Sequence, residues 1–195
     1  MLRIKTIIAI INRKTIFITP PELIANLRLY HSPISVTIKT LTTRSVMMKR
    51  IYLAGPFFSD EQIERISKVE KALTTNPTAG FVFSPRLSDE NDDTENAGSP
   101  EWAKSIFTKD VAEVDKCDVV VAIADFEHAN LDSGTAFELG YAYHSNKPII
   151  LLQELDEQLN LMVSQSAHYY TTSIDELATY NFEQLPANEY TGKAF

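Results

Sequence analysis

Between Met48 and Phe195, apolar positions follow two rhythms that take turns along the chain. KRIYLAGPFF carries a short continuous apolar run that stops at Gly55-Pro56, which predicts a buried strand and a turn. After it, apolar residues at 63, 66, 69, 72 and 73 keep the spacing of one helix face. Ser59 and Gln62 precede that face at the spacing of a capping box. GFVFSP predicts a second strand closed by Pro85, and the acidic stretch RLSDENDDTENAGSP a surface loop. Pro100 marks the first turn of a helix over EWAKSIFTKDVAEVDKC. DVVVAIAD is the clearest strand, a continuous run suited to a sheet covered on both faces. The loop FEHANLD leads to a helix over SGTAFELGYAYHSN and a strand at KPIILLQ. Beyond ELDEQLNLMVSQS, AHYYTTS predicts a last strand or extended segment and IDELATYNF a last helix.

Strands alternating with helices make right-handed βαβ units. The expected class is therefore α/β, a flavodoxin/Rossmann-like three-layer sandwich around a five-stranded parallel sheet. Such sheets bind ligands beyond the carboxyl ends of their strands. That rule selects Gly55 to Phe58, Ser84 to Arg86, Asp125 to Ser133 and the chain from Gln153 onward.

Composition divides the chain at Met47-Met48. Residues 1–47 hold seven Lys and Arg against a single acid, Glu22, whereas all six glycines and the acidic excess behind the net charge of −8 lie after them. The basic, threonine-rich opening superficially resembles a transit peptide, yet no small-residue cleavage site follows TIIAII. A complete first strand starts directly after Met48. Residues 1–47 are accordingly read as an extension outside the folded domain, upstream sequence ahead of a natural start at Met48, and residues 48–195 as that domain. The acidic balance argues against a nucleic-acid partner, which needs a basic stripe. No apolar run approaches the roughly 20 residues that span a bilayer, so no membrane partner is expected. One cysteine, Cys117, and four histidines without HxxxH or HxH spacing give no basis for a metal site.

Four stretches could carry chemistry. YLAGPFF lacks both GxGxxG and GxxxxGK[ST]. With Gly55, Phe57 and Phe58 the turn suits stacking on a flat ring rather than cradling phosphate, although the two rings could equally cover the sheet end. Tyr52 within the strand reads, taken singly, as core. LDSGTAFELGYA sets one carboxylate, Glu138, between Phe137 and Leu139 near a helix start, with Asp132 in the preceding loop. The helix terminus lowers a carboxylate pKa, while desolvation by Phe137, Leu139 and Tyr141 would raise it. The outcome is a poorly hydrated anion fit to be a nucleophile. The plainer alternative makes Asp132 a helix cap and Glu138 a surface residue. Asp110 lies on one helical face with Phe107 and Val114, and Asn160 in LNLM is either a turn residue or a ligand contact.

In that order, YLAGPFFSD, the KD before DVVVAIAD, LDSGTAFELGYA, NLM and a YNF…LP tail resemble the nucleoside 2-deoxyribosyltransferases over residues 49–195. The D-x-G-[ST]-A-[FW]-E-[IL]-G block in register with Y-L-x-x-P-F-[FY] is the specific part. The resemblance implies two-step exchange of purine or pyrimidine bases on 2′-deoxyribose without a cofactor. It assigns Glu138 as the nucleophile at C1′ and Tyr52 as its orienting partner. Asp110 and Asp132 become the pair that handles the base proton. Phe58, with Phe57 and Gly55, belongs to the base pocket, and Met162 accompanies Asn160, which a neighbouring subunit lends to the sugar. The family's terminal carboxylate falls on Phe195, although GKAF departs from forms ending in tyrosine. A cytoplasmic homo-oligomer, hexamer or tetramer, in nucleoside salvage is implied, with broad base acceptance. Two alternatives stand beside it. A deoxynucleoside monophosphate N-glycosidase would need phosphate-binding donors that GPFF lacks. A non-catalytic nucleotide-binding module would tolerate loss of Glu138.

Overall fold

The computed structural model describes residues 48–89, 96–128 and 130–195, and three strands within the first 47 residues. Met1–Met47 and Met48–Phe195 are two separate compact units. In the first, β1 (Ile7–Ile11) pairs antiparallel with β2 (Lys14–Ile18) and β3 (Thr37–Thr40), in the order β2-β1-β3. The sequence reading assigned no element there.

The second unit runs β4 (Lys49–Ala54), α1 (Asp60–Thr75), β5 (Ala79–Phe83), α2 (Pro85–Asp89), α3 (Pro100–Lys116) and β6 (Val119–Ile123). It continues α4 (Ser133–His144), β7 (Ile149–Leu152), β8 (Gln158–Leu159), α5 (Leu161–Ser164), β9 (Tyr169–Thr171), α6 (Ile174–Thr179) and β10 (Lys193–Ala194). Five parallel strands stand in the order β5-β4-β6-β7-β9, so the expected α/β sandwich is the fold. Counting strands within this sheet, the order is 2-1-3-4-5, and its direction reverses between β4 and β6. That reversal opens a crevice at the carboxyl edge, because the connections on its two sides leave toward opposite faces.

The two covering layers follow from the strand period of two. Ile51, Leu53, Val119, Val121, Ile123, Ile150 and Leu152 face one side and pack with Ile66, Val69, Leu73, Leu177 and Phe182 of α1, α6 and the segment after α6. Their neighbours Tyr52, Ala54, Val120, Ala122, Ile149 and Leu151 face the other side, against Val114 of α3 and Leu139 and Ala142 of α4. Every residue of β6 is buried, as a central strand covered twice requires. Tyr52 is thus core in its ring, fully buried, and its position fixes the layer it faces.

Three boundaries differ from the sequence reading. Arg86–Asp89 are helical rather than loop, since Pro85 supplies a preset φ at a helix start and Ser88 N–H bonds the Ser84 carbonyl. The last helix stops at Thr179, which frees Tyr180 and Phe182 to turn inward on the core. Lys193–Ala194 pair with Gln158–Leu159 as a separate two-stranded parallel sheet, which short polar segments do not announce. Among the described residues, no helix is long and apolar enough to cross a membrane.

Candidate active site

The crevice at the β4/β6 reversal is a cavity of about 410 Å3 lined by four parts of the chain. The turn after β4 supplies Gly55, Phe57 and Phe58, the start of α2 supplies Pro85, and α3 supplies Trp102, Ile106 and Asp110. Asp132, Gly134, Thr135 and Glu138 close it from α4.

Local chemistry places each of these. Ser59 caps α1, its hydroxyl accepting from Gln62 N–H, while the Gln62 side-chain oxygen accepts from Phe58 N–H at 2.8 Å. This departs by one residue from the usual reciprocal box and pins the Phe58 backbone at the cavity mouth. The Phe57 and Phe58 rings stack at 5.3 Å, and Phe58 meets Phe126 edge-on at 6.4 Å. Phe57 also packs on the core, as the reading that the rings cover the sheet end expects. Space at Gly55 is tight, since a Cβ there would lie 3.1 Å from the Ile123 side chain.

Asp132 is both cap and cavity wall. Its Oδ2 accepts from Thr135 N–H at 2.8 Å and from the Thr135 hydroxyl at 3.0 Å. Asp125, just after β6, is by contrast structural. Its buried carboxylate accepts the Glu154 and Leu155 amides at 2.8 and 3.0 Å, tying the ends of β6 and β7 together.

Glu138 sits in the second turn of α4 on the side facing the sheet, and Tyr52 Oη donates a hydrogen bond to its Oε1. Burial pushes the carboxyl pKa from an ordinary 4.5 up to about 8, the Tyr52 hydrogen bond pulls it down, and the nearby Asp110 and Asp132 charges add to the rise. The residues that bury it are not its sequence neighbours. Phe137 is exposed and its ring lies against Phe107 and Tyr141, and the Tyr141 hydroxyl donates to Asp115. Side chains one position apart on a helix point in different directions, so the flanking apolar residues cannot shield it. The sheet and the cavity walls do.

Asn160, Met162 and Phe195 do not line this cavity. They meet in a second one, of about 620 Å3, on another side of α4 with Leu139, Gly140 and Tyr143. Asn160 caps α5 through Met162 N–H at 2.9 Å, which is the turn role, one of the two readings open for it. The Phe195 carbonyl accepts from Leu161 N–H at 3.0 Å, which seats the last residue beside that cap. Pro85 lies in the strand-end stretch Ser84 to Arg86 selected above, whereas Trp102 and Ile106 were missed, since nothing in an ordinary amphipathic helix singled them out. Among the described residues, no group of three or more His, Cys, Asp or Glu could hold a metal ion.

The raised Glu138 pKa sets a dependence of stability on pH. Folded Glu138 holds its proton up to about pH 8 and an unfolded glutamate only to about 4.5, so wild-type stability falls as pH rises through that window. Glu138→Gln removes the titration. The variant should match wild type near pH 4.5 and exceed it above pH 8 by on the order of a few kcal/mol, read from denaturation at each pH. Equal pH dependence of the two proteins would contradict the burial assigned to this carboxylate.

Known proteins resemble this chain over most of its second unit. The family described as Nucleoside 2-deoxyribosyltransferase matches residues 51–172. The chain is 36% identical over 161 residues to a nucleoside deoxyribosyltransferase of Limosilactobacillus fermentum, covering 76% of this chain and 95% of that one. A solved 2-deoxyribosyltransferase from Bacillus psychrosaccharolyticus is 34% identical with a TM-score of 0.64, over 72% of this chain and 98% of its own. A 2-desoxiribosyltransferase from Leishmania mexicana is 26% identical with a TM-score of 0.43, over 69% of this chain and 80% of its own. With its matched segment running from within β4 to the end of β9 and containing every residue that lines the cavity, the chain belongs to the nucleoside 2-deoxyribosyltransferase family.

Proposed function

We propose that this protein moves a 2-deoxyribosyl group from one nucleobase to another through an ester between Glu138 and the sugar. One observation carries the reading, the Tyr52 hydroxyl bonded to a desolvated carboxylate on the floor of an aromatic-walled cavity. In the first step a Glu138 oxygen attacks C1′ while the C1′–N bond breaks. The electron pair leaves with the base nitrogen, which takes a proton from the Asp110/Asp132 pair. In the second step an acceptor base attacks C1′, the ester C–O bond breaks back to the Glu138 carboxylate, and the acceptor's N–H proton returns to the aspartates. Two inversions give net retention, the logic of a retaining glycosidase with a base in place of water.

Burial serves this chemistry twice. It keeps water, the competing acceptor, scarce, and it leaves Glu138, once it has lost its proton, poorly solvated and reactive. Lacking a 2′-hydroxyl, the deoxyribosyl cation forms readily, so positioning and one well-placed anion supply much of the barrier reduction. The hydrolase alternative has no support in the cavity, where the turn after β4 presents two phenyl rings instead of phosphate-binding donors. Phe57 and Phe58 suit the flat face of either a purine or a pyrimidine.

Asn160 and Phe195 belong to this reaction through a neighbouring copy. They share one cavity with each other but not with Glu138 in the same chain, and Met162, Phe195 and Tyr143 around them are exposed. The functional unit is accordingly a homo-oligomer with shared sites, acting in cytoplasmic nucleoside salvage.

Incubation with a deoxynucleoside should add the mass of one deoxyribosyl unit to the peptide containing Glu138. Sugar attached elsewhere, or nowhere while bases still exchange, would sink the mechanism. Glu138→Ala should lose roughly a thousandfold or more in exchange rate, as removal of a covalent nucleophile does. Tyr52→Phe removes the influence that lowers the Glu138 pKa, so the rising limb of its pH–rate profile should move to higher pH. Mixing inactive Glu138→Ala and Asn160→Ala subunits should restore part of the activity if the asparagine serves a neighbour. No recovery from mixed oligomers would place Asn160 outside the shared site.

A further inference from the structure

Behind the Pro85 wall of the cavity lies a buried carboxylate that the reaction does not use. Glu70 stands on the inward face of α1, between Ile66 and Leu73, and is 8% exposed. A charge there is costly unless its oxygens are satisfied. Oε1 accepts from the Ser84 hydroxyl at 2.7 Å and Oε2 from the Arg86 guanidinium at 2.6 Å. The two donors are the residues on either side of Pro85, and Pro85 is the only one of the three that lines the cavity.

We infer that Glu70 is a positioning residue for the base pocket. By gripping both neighbours of Pro85 it sets how closely that wall approaches a bound ring. The inference rests on reading this cavity as the base site. Proline at the start of α2 has a fixed φ and no N–H, so it cannot anchor itself by a backbone donor. The carboxylate supplies the anchor from the neighbouring helix. An ion pair serving stability alone could sit anywhere on the α1/β5 contact. This one takes a hydrogen bond from each side of a single wall residue.

Releasing the clamp lets the wall retreat, and the smaller ring then loses more contact than the larger one. The chain has a single tryptophan, Trp102, and it lines the same cavity, so its fluorescence reports occupancy without catalysis. Titration of the purified full-length protein with adenine and with thymine is the test. Ser84→Ala should weaken thymine binding by roughly threefold to fivefold and Glu70→Ala by roughly tenfold, with adenine less affected in both. Glu70→Gln keeps an acceptor for Ser84 and should fall between wild type and Glu70→Ala. Unchanged dissociation constants in Ser84→Ala and Glu70→Gln would overturn the inference. So would equal losses for both bases, or a reduced binding amplitude at unchanged affinity, either of which marks a purely structural ion pair. Should Glu70→Ala fail to fold, Ser84→Ala decides, because it removes one hydroxyl and leaves the ion pair in place. Failure of wild type to quench with either base would instead reject the cavity as the base site.

Discussion

The hydrogen bond from Tyr52 to Glu138 joins the two halves on which the site depends. One partner belongs to the first strand of the parallel sheet and the other to a helix 86 residues later, so the bond exists only if β4, β6 and α4 are stacked in their native order. The alternation of β4 sends Tyr52 to the α3/α4 layer while Ile51 and Leu53 serve the opposite core. A shift of one residue in that strand would turn the tyrosine away from the site and put an aliphatic side chain beside Glu138. Packing and chemistry are therefore decided by the same register.

Desolvating a carboxylate costs stability, and the fold accepts that cost at one place. The cavity opens where the sheet order reverses, the point at which an α/β sheet cannot be covered by a direct crossover. Glu138 uses that gap in the covering layer. Asp110 and Asp132 stand close enough to raise its pKa further.

The supports around the cavity are built from the same few devices. Gln62 fixes the Phe58 backbone, Thr135 fixes Asp132, and Glu70 holds the chain on both sides of Pro85. Gln62 and Glu70 do so from behind the cavity, and Thr135 from beside Asp132 on its wall. Such second contacts limit the displacement of reacting groups, where small errors in position are expensive in rate. The tail pair β8 and β10 does the same for Asn160 and Phe195, carrying both on one short sheet.

Residue order alone determined the layer architecture, because an apolar period of two or a continuous run cannot be satisfied by a helix, nor a spacing of three and four by a strand. The lone carboxylate of LDSGTAFELGYA and the aromatic turn after the first strand were legible for a related reason. Each breaks the pattern of its own element. Tertiary structure alone decided what buries Glu138, since neighbours on a helix diverge and the shielding comes from a distant strand and the cavity walls. It also decided that Trp102 and Pro85 join the site, that Asn160 and Phe195 do not share it within one chain, and that Glu70 is a clamp. A strand-end position marked the stretch around Pro85 beforehand, but only the order in which strands pair, and the faces that order brings together, could reveal what these residues meet.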